Sequence, residues 1–110
     1  MSKKRDLTIF DDLFIEDVKQ YYDLFKEYTQ LTSEDYTRAY NLCIRALALA
    51  DRWNDLSVSA GKLAKAKGES KTDLSKYIYG KYRQMQHIHE HCRMIWKVGE
   101  DEMKITKFRQ

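Results

Sequence analysis

Residues 36–66 read YTRAYNLCIRALALADRWNDLSVSAGKLAKA, and the spacing of their apolar side chains decides the fold. Leu42, Ala46, Leu49, Trp53, Leu56, Ala60 and Leu63 alternate steps of four and three without a break, the repeat that holds a continuous seam against a partner helix. A second row, Tyr36, Tyr40, Cys43 and Leu47, lies on the same stretch. Two rows need two partners. A helix over residues 33–66 would be on the order of 50 Å long. Gly61 costs about 1 kcal/mol relative to alanine within it, so the pattern allows a kink near that point.

The flanking sequence supplies the partners. Upstream, Phe10, Phe14, Val18, Tyr21, Phe25 and Tyr28 form one stripe at steps of three or four, which predicts a first helix over residues 11–28. Asp11 and Asp12 favour its start through the helix dipole. Thr32-Ser33-Glu34-Asp35 resembles a capping box, with Asp35 in the place of the usual Glu or Gln, and opens the second helix. Downstream, KAKGESK over residues 65–71 is polar and centred on Gly68, so the chain should turn back there. Ser70-Lys71-Thr72-Asp73 offers a second capping box for a third helix over residues 72–98. Leu74, Ile78, Lys81, Met85, Ile88, Cys92 and Ile95 alternate four and three along it, interrupted only by Lys81, and Gly99 reads as its stop. Residues 99–110 form a short tail. The expected fold is all-α: one domain over residues 1–110, with an N-terminal helix and a long antiparallel helical hairpin, assembling as a helical oligomer.

Composition agrees. The chain has 110 residues, 43% hydrophobic and 34% charged, with no proline and four glycines, which removes the punctuation of sandwiches and barrels. The start MSKKRDLTIF is basic but leads into acidic residues rather than the apolar core of a signal peptide. No apolar run approaches the roughly 20 residues of a membrane helix. A cytoplasmic protein is expected, with Cys43 and Cys92 as small buried thiols.

Charge is unevenly placed along this plan. Residues 11–35 hold eight acids against Lys19 and Lys26, a balance of −6, so the first helix is acidic. Residues 60–83 hold Lys62, Lys65, Lys67, Lys71, Lys76, Lys81 and Arg83 against Glu69 and Asp73, a balance of +5. These cations at the hairpin tip could neutralise phosphates by counterion release, with Tyr77, Tyr79 and Tyr82 near enough in sequence to add stacking or sugar contacts. A solvated lysine-rich loop is the plainer alternative. Lys3, Lys4 and Arg5 form a second basic patch. His87 and His91, one helical turn apart, could share a zinc ion, but two ligands on one helix do not close a site, and no functional metal is expected. No Gly-rich phosphate loop or nucleophile motif appears, and the pairs Asp11 with Asp12 and Glu16 with Asp17 read as helix-start charges and a solvated face. Catalysis is not expected.

Five pieces of the chain together carry a resemblance: the helix ending VKQYYDLFKEYTQ, the cap LTSED, the long helix YTRAYNLCIRALALADRW, the turn KAKGES and the return-helix ending IWKVGED. Over about residues 18–102 the chain resembles the small subunit of a tailed-phage terminase, in the group whose core is a long helical hairpin. That resemblance implies a non-enzymatic, cofactor-free subunit in the infected bacterial host cell. Such a subunit assembles into a homo-oligomeric ring, binds double-stranded viral DNA at the packaging-initiation site and presents it to the large ATPase and nuclease subunit. Tyr36, Tyr40, Leu47, Leu49, Trp53 and Leu56 are the expected subunit contacts. A reading from a different class is a small helical adaptor or inhibitor that binds another protein through the acidic first helix.

Overall fold

The apolar seam of residues 42–63 finds its partner on the returning chain. The computed structural model describes residues 7–109, with side chains over residues 7–102. Its elements are a 3-10 helix, Leu7–Phe14, and four α-helices: α1 (Ile15–Thr29), α2 (Tyr36–Val58), α3 (Ala60–Lys67) and α4 (Lys71–Arg109). No strand occurs among the described residues. Helix α4 runs back along α3 and α2. Leu42, Ala46, Leu49, Trp53 and Leu56 are buried on α2, and Leu74, Ile78, Met85, Ile88 and Cys92 on α4. Each large aliphatic side chain in this seam contributes about 1.5–3 kcal/mol by leaving water. The molecule is accordingly a rod, 64 × 29 × 22 Å.

The aromatic stripe of the N-terminal segment closes one side of this hairpin. Trp53 is fully buried, ringed by Phe14, Tyr21 and Tyr77 with centroids 6.0–6.4 Å away, and Phe10 packs edge-on to Tyr77 at 5.5 Å. The indole N–H of Trp53 has no hydrogen-bond acceptor among the described residues. Two ion pairs, Arg52 with Asp17 and Arg45 with Glu27, tie α1 to α2 at the rim.

The helix boundaries depart from the sequence expectations in four places, each for a local reason. The first helix opens as 3-10 winding and becomes α-helical only at Ile15, after Phe14 takes the non-helical angles φ −134°, ψ 46°. Phe10, Asp11 and Phe14 are each anchored to α4 or α2, by ring contacts and by a Tyr77 hydroxyl donating to the Asp11 carboxylate at 2.5 Å. The Asp35 carboxylate accepts the Thr32 N–H at 3.1 Å, the reach-back bond the capping box predicts, but residues 32–35 make a separate turn, with the Asp35 N–H on the Thr32 carbonyl at 3.2 Å, and α2 starts at Tyr36 rather than at residue 33. The hydrogen bond from the Thr32 N–H also holds the Asp35 carboxyl below its ordinary range.

The long second helix is interrupted at Ser59, two residues before Gly61. The fault is shallow, since the Ser59 N–H still reaches the Asp55 carbonyl at 3.2 Å and the Ser59 carbonyl accepts the Leu63 N–H at 3.0 Å. Gly99 does not stop the last helix, which continues to Arg109, so residues 99–109 are helix rather than tail. A C-terminal glycine stop needs a positive φ, and among the described residues only Gly68 has one. Gly99 is instead a point of close approach: a Cβ there would lie 2.2 Å from the Tyr36 Cγ. The backbone of α4 therefore extends ten residues, about 15 Å, past the level where α2 begins.

Candidate nucleic-acid interface

The hairpin tip is built by two local motifs. Helix α3 ends in a Schellman turn: Gly68 at φ 67° lets the Glu69 N–H reach the Ala64 carbonyl at 2.9 Å and its own N–H reach the Lys65 carbonyl at 3.4 Å. Ser70 then caps α4, its hydroxyl accepting the Asp73 N–H at 3.3 Å, as the second capping box predicts. Ala60 and Ala64 face inward against α4, so the polar residues between them face out. The alternation of small apolar and lysine side chains in AGKLAKAK is what sets the lysines on the surface.

Lys62, Lys65, Lys67, Lys71, Lys76 and Arg83 are all exposed. Among the described residues the ion pairs join Arg45 to Glu27, Arg52 to Asp17 and Lys97 to Glu100, and none engages these six cations. Lys67 lies 5.8 Å from the Phe14 ring centroid, and the Lys71 stem passes 3.6 Å from the position a Gly61 Cβ would take. Lys3, Lys4 and Arg5 lie outside the described residues.

Lys81 does not belong to this group. Its ammonium sits 4.1, 4.8 and 5.3 Å from the ring centroids of Tyr21, Tyr22 and Tyr77, and 3.4 Å from the Tyr22 hydroxyl oxygen. Burial lowers its pKa from the ordinary lysine value, an effect opposed by the Asp11 carboxylate. It is a structural cation held in an aromatic cage and only partly open to solvent. The signal was in the sequence: Lys81 occupies a seam position of the four-three repeat, which points inward. Tyr77 is buried in the same cluster, whereas Tyr79 is 54% exposed and Tyr82 is partly so. A small pocket of about 200 Å³ opens beside the cage between Leu7, Thr8, Tyr21, Lys76 and Gly80.

The expected subunit contacts divide in the same way. Leu49, Trp53 and Leu56 are buried within the chain itself, consumed by the seam and the aromatic cluster, so they offer nothing to a neighbour. Tyr36 is half-buried against Gly99, with its hydroxyl donating to Glu102 at 2.6 Å. Tyr40 and Leu47 remain exposed, and Ile44, which the two-row pattern passed over, is exposed between them.

Several acids of the 3-10 helix and α1 are also occupied internally. Asp17 and Glu27 pair with arginines of α2, and Asp11 accepts from Tyr77 and Tyr22. That leaves less of the acidic face for an adaptor. Among the histidines, His91 hydrogen-bonds Tyr28 at 2.6 Å and His89 meets the Cys43 carbonyl at 2.9 Å. No cluster of three or more metal-ligating side chains occurs among the described residues. Both cysteines are buried free thiols, and burial raises the Cys92 pKa to about 11. No described helix is long and apolar enough to cross a membrane.

Compared with known proteins, the chain matches no family model, no curated protein and no solved structure.

Proposed function

We propose that this chain is a non-catalytic DNA-recognition subunit of the terminase small-subunit type, gripping double-stranded viral DNA with its hairpin tip and handing it to a large ATPase and nuclease subunit. The observation that supports the reading is the tip itself: five lysines and one arginine, all exposed, with no ion-pair partner among the described residues. Cations left unpaired on a rigid support are available to replace condensed counterions on a duplex. The resemblance in helix, cap and turn adds the packaging role. Ring assembly belongs to the same proposal, with the exposed row Tyr40, Ile44 and Leu47 in place of the buried residues as the subunit contact.

Salt titration of duplex binding tests it. Each lysine engaged with a phosphate contributes about 0.9 to the slope of log affinity against log salt, so replacing Lys62, Lys65 and Lys67 together by glutamine should flatten that slope by up to roughly 2.7 per engaged protomer. Exposed substitutions of this kind usually cost within about 0.5 kcal/mol of stability. A triple variant that matches the parent at every salt concentration reduces the tip to a solvated turn. Neutralising Lys3, Lys4 and Arg5 in parallel measures the share of the N-terminal patch.

A further inference from the structure

Two of the tip cations also frame a second kind of surface on α4. Lys76 and Arg83 lie three residues before and four after Tyr79, so all three side chains leave the helix on the same side. The Tyr79 ring is 54% exposed, and neither cation is ion-paired among the described residues. Tyr82 stands beside it with ring centroids 6.3 Å apart at 44°, and its hydroxyl accepts a hydrogen bond from Gln86 at 2.7 Å. The pair therefore forms an aromatic shelf with one fixed ring and one open ring.

The next residue sharpens the point. Gly80 sits in the interior of a 39-residue helix, where it costs about 1 kcal/mol relative to alanine. The other glycines have a visible reason or neighbour: Gly68 its left-handed backbone, Gly99 the Tyr36 ring, Gly61 the Lys71 stem. A Cβ at Gly80 would meet no described atom within 4 Å. Among the described residues no side chain asks for a bare backbone there, and Gly80 borders the pocket between Leu7, Thr8, Tyr21 and Lys76, where an outside group could approach closely.

We propose that the Lys76, Tyr79 and Arg83 strip holds an unpaired nucleotide of the bound DNA, its base stacked on Tyr79 and its flanking phosphates met by the two cations. The inference rests on the DNA-binding reading and adds single-strand recognition to it. In an intact duplex the faces of the bases cover one another, so a ring carried on a helix meets sugar and phosphate. An unpaired base exposes its face, and an aromatic side chain between cations is the arrangement that binds it without regard to sequence.

The test uses the full chain with a labelled single-stranded oligonucleotide and a blunt duplex of the same sequence, read by fluorescence anisotropy at one salt concentration. Tyr79→Ala should weaken single-strand binding by about 5- to 150-fold and duplex binding by distinctly less, while Tyr79→Phe, which keeps the ring, should match the parent on both probes. The proposal is overturned if Tyr79→Ala binds the single strand as well as the parent, if Tyr79→Phe is as weak as Tyr79→Ala, or if the loss is equal on duplex. Failure of the broader reading is distinguishable, because it appears in the duplex arm of the Lys62, Lys65 and Lys67 variant.

Discussion

Gly99 shows how a single absent methyl shapes this molecule. Tyr36 lies so close to it that Gly99→Ala forces the ring or the helix to move, and such overpacking should cost about 1–3 kcal/mol in urea denaturation. In a Tyr36→Ala background the same change should cost much less, since the obstruction is gone; equal costs in both backgrounds would show that the ring is not the obstacle. A second residue-level effect concerns pH. Burial raises the Tyr21 pKa to about 12, with help from Tyr22 and Asp11, and burial followed by the hydrogen bond to Asp11 raises that of Tyr77 further. Above pH 9 the unfolded chain ionises Cys92, and above pH 10 these hydroxyls, before the folded one does, so stability should fall from about pH 9 upward, with Tyr21 contributing between about pH 10 and pH 12. Lys81, its pKa lowered, acts with the opposite sign over part of that window but is one group against several, Cys92 among them. Urea titrations at pH 8, 10 and 11 check this, and Tyr21→Phe should flatten the decline. At this scale the register pointed Lys81 inward, yet its charge placed it among the phosphate-binding cations, and the structure sets it in the aromatic cage instead. The sequence also misled where one residue type serves two purposes, since a glycine for close approach and a glycine for stopping look alike in one dimension.

Among the elements, α1 is held to the hairpin by two different means, and they should separate cleanly. The rim ion pairs are exposed enough that each is worth at most about 1 kcal/mol, whereas Phe14 is buried against Trp53 and Tyr77. Phe14→Ala should therefore cost about 3–5 kcal/mol and release α1 to hydrogen exchange, while Asp17→Asn should cost less than about 1 kcal/mol and leave α1 protected. Comparable losses from both would mean that charge rather than ring packing docks the helix. The existence and order of the three long helical stretches were legible because seven-residue periodicity extends over many turns and outlasts local irregularities. Their ends were not. Caps are decided by one or two hydrogen bonds, and Asp35 satisfies Thr32 as readily in a turn before the helix as inside its first turn. The interruption at Ser59, with Val58 left 82% exposed beside it, has no counterpart in the apolar pattern, which runs through the site unbroken.

For the whole molecule, the ring proposed above places its subunit contact on the exposed row Tyr40, Ile44 and Leu47. Leu47→Lys should disperse any oligomer seen by light scattering at tens of micromolar while leaving the melting temperature nearly unchanged, because Leu47 is 46% exposed. A strict monomer for the parent at that concentration would sink the ring. Basic residues at the tip could be read from composition alone, since lysines between alanines on a helix have only one side to face. The division of the aromatic and apolar rows into core and surface could not, because α1 can cover one flank of the hairpin and leave the other bare, and spacing does not say which. A mechanical consequence follows from the two ends of the rod. The Schellman turn with its serine cap pins the hairpin at the tip, and the Tyr36 ring seated on Gly99 pins it at the base, so α2 and α4 cannot slide past one another. With sliding blocked at both clamps, a sideways load on the tip is taken up as bending, and bending concentrates where one of the two struts is weakened. At Ser59 the helix is interrupted, although two hydrogen bonds still carry it through, while α4 runs past unbroken, which makes that level the natural elbow between the part of the rod that would grip a polymer and the part that would anchor it.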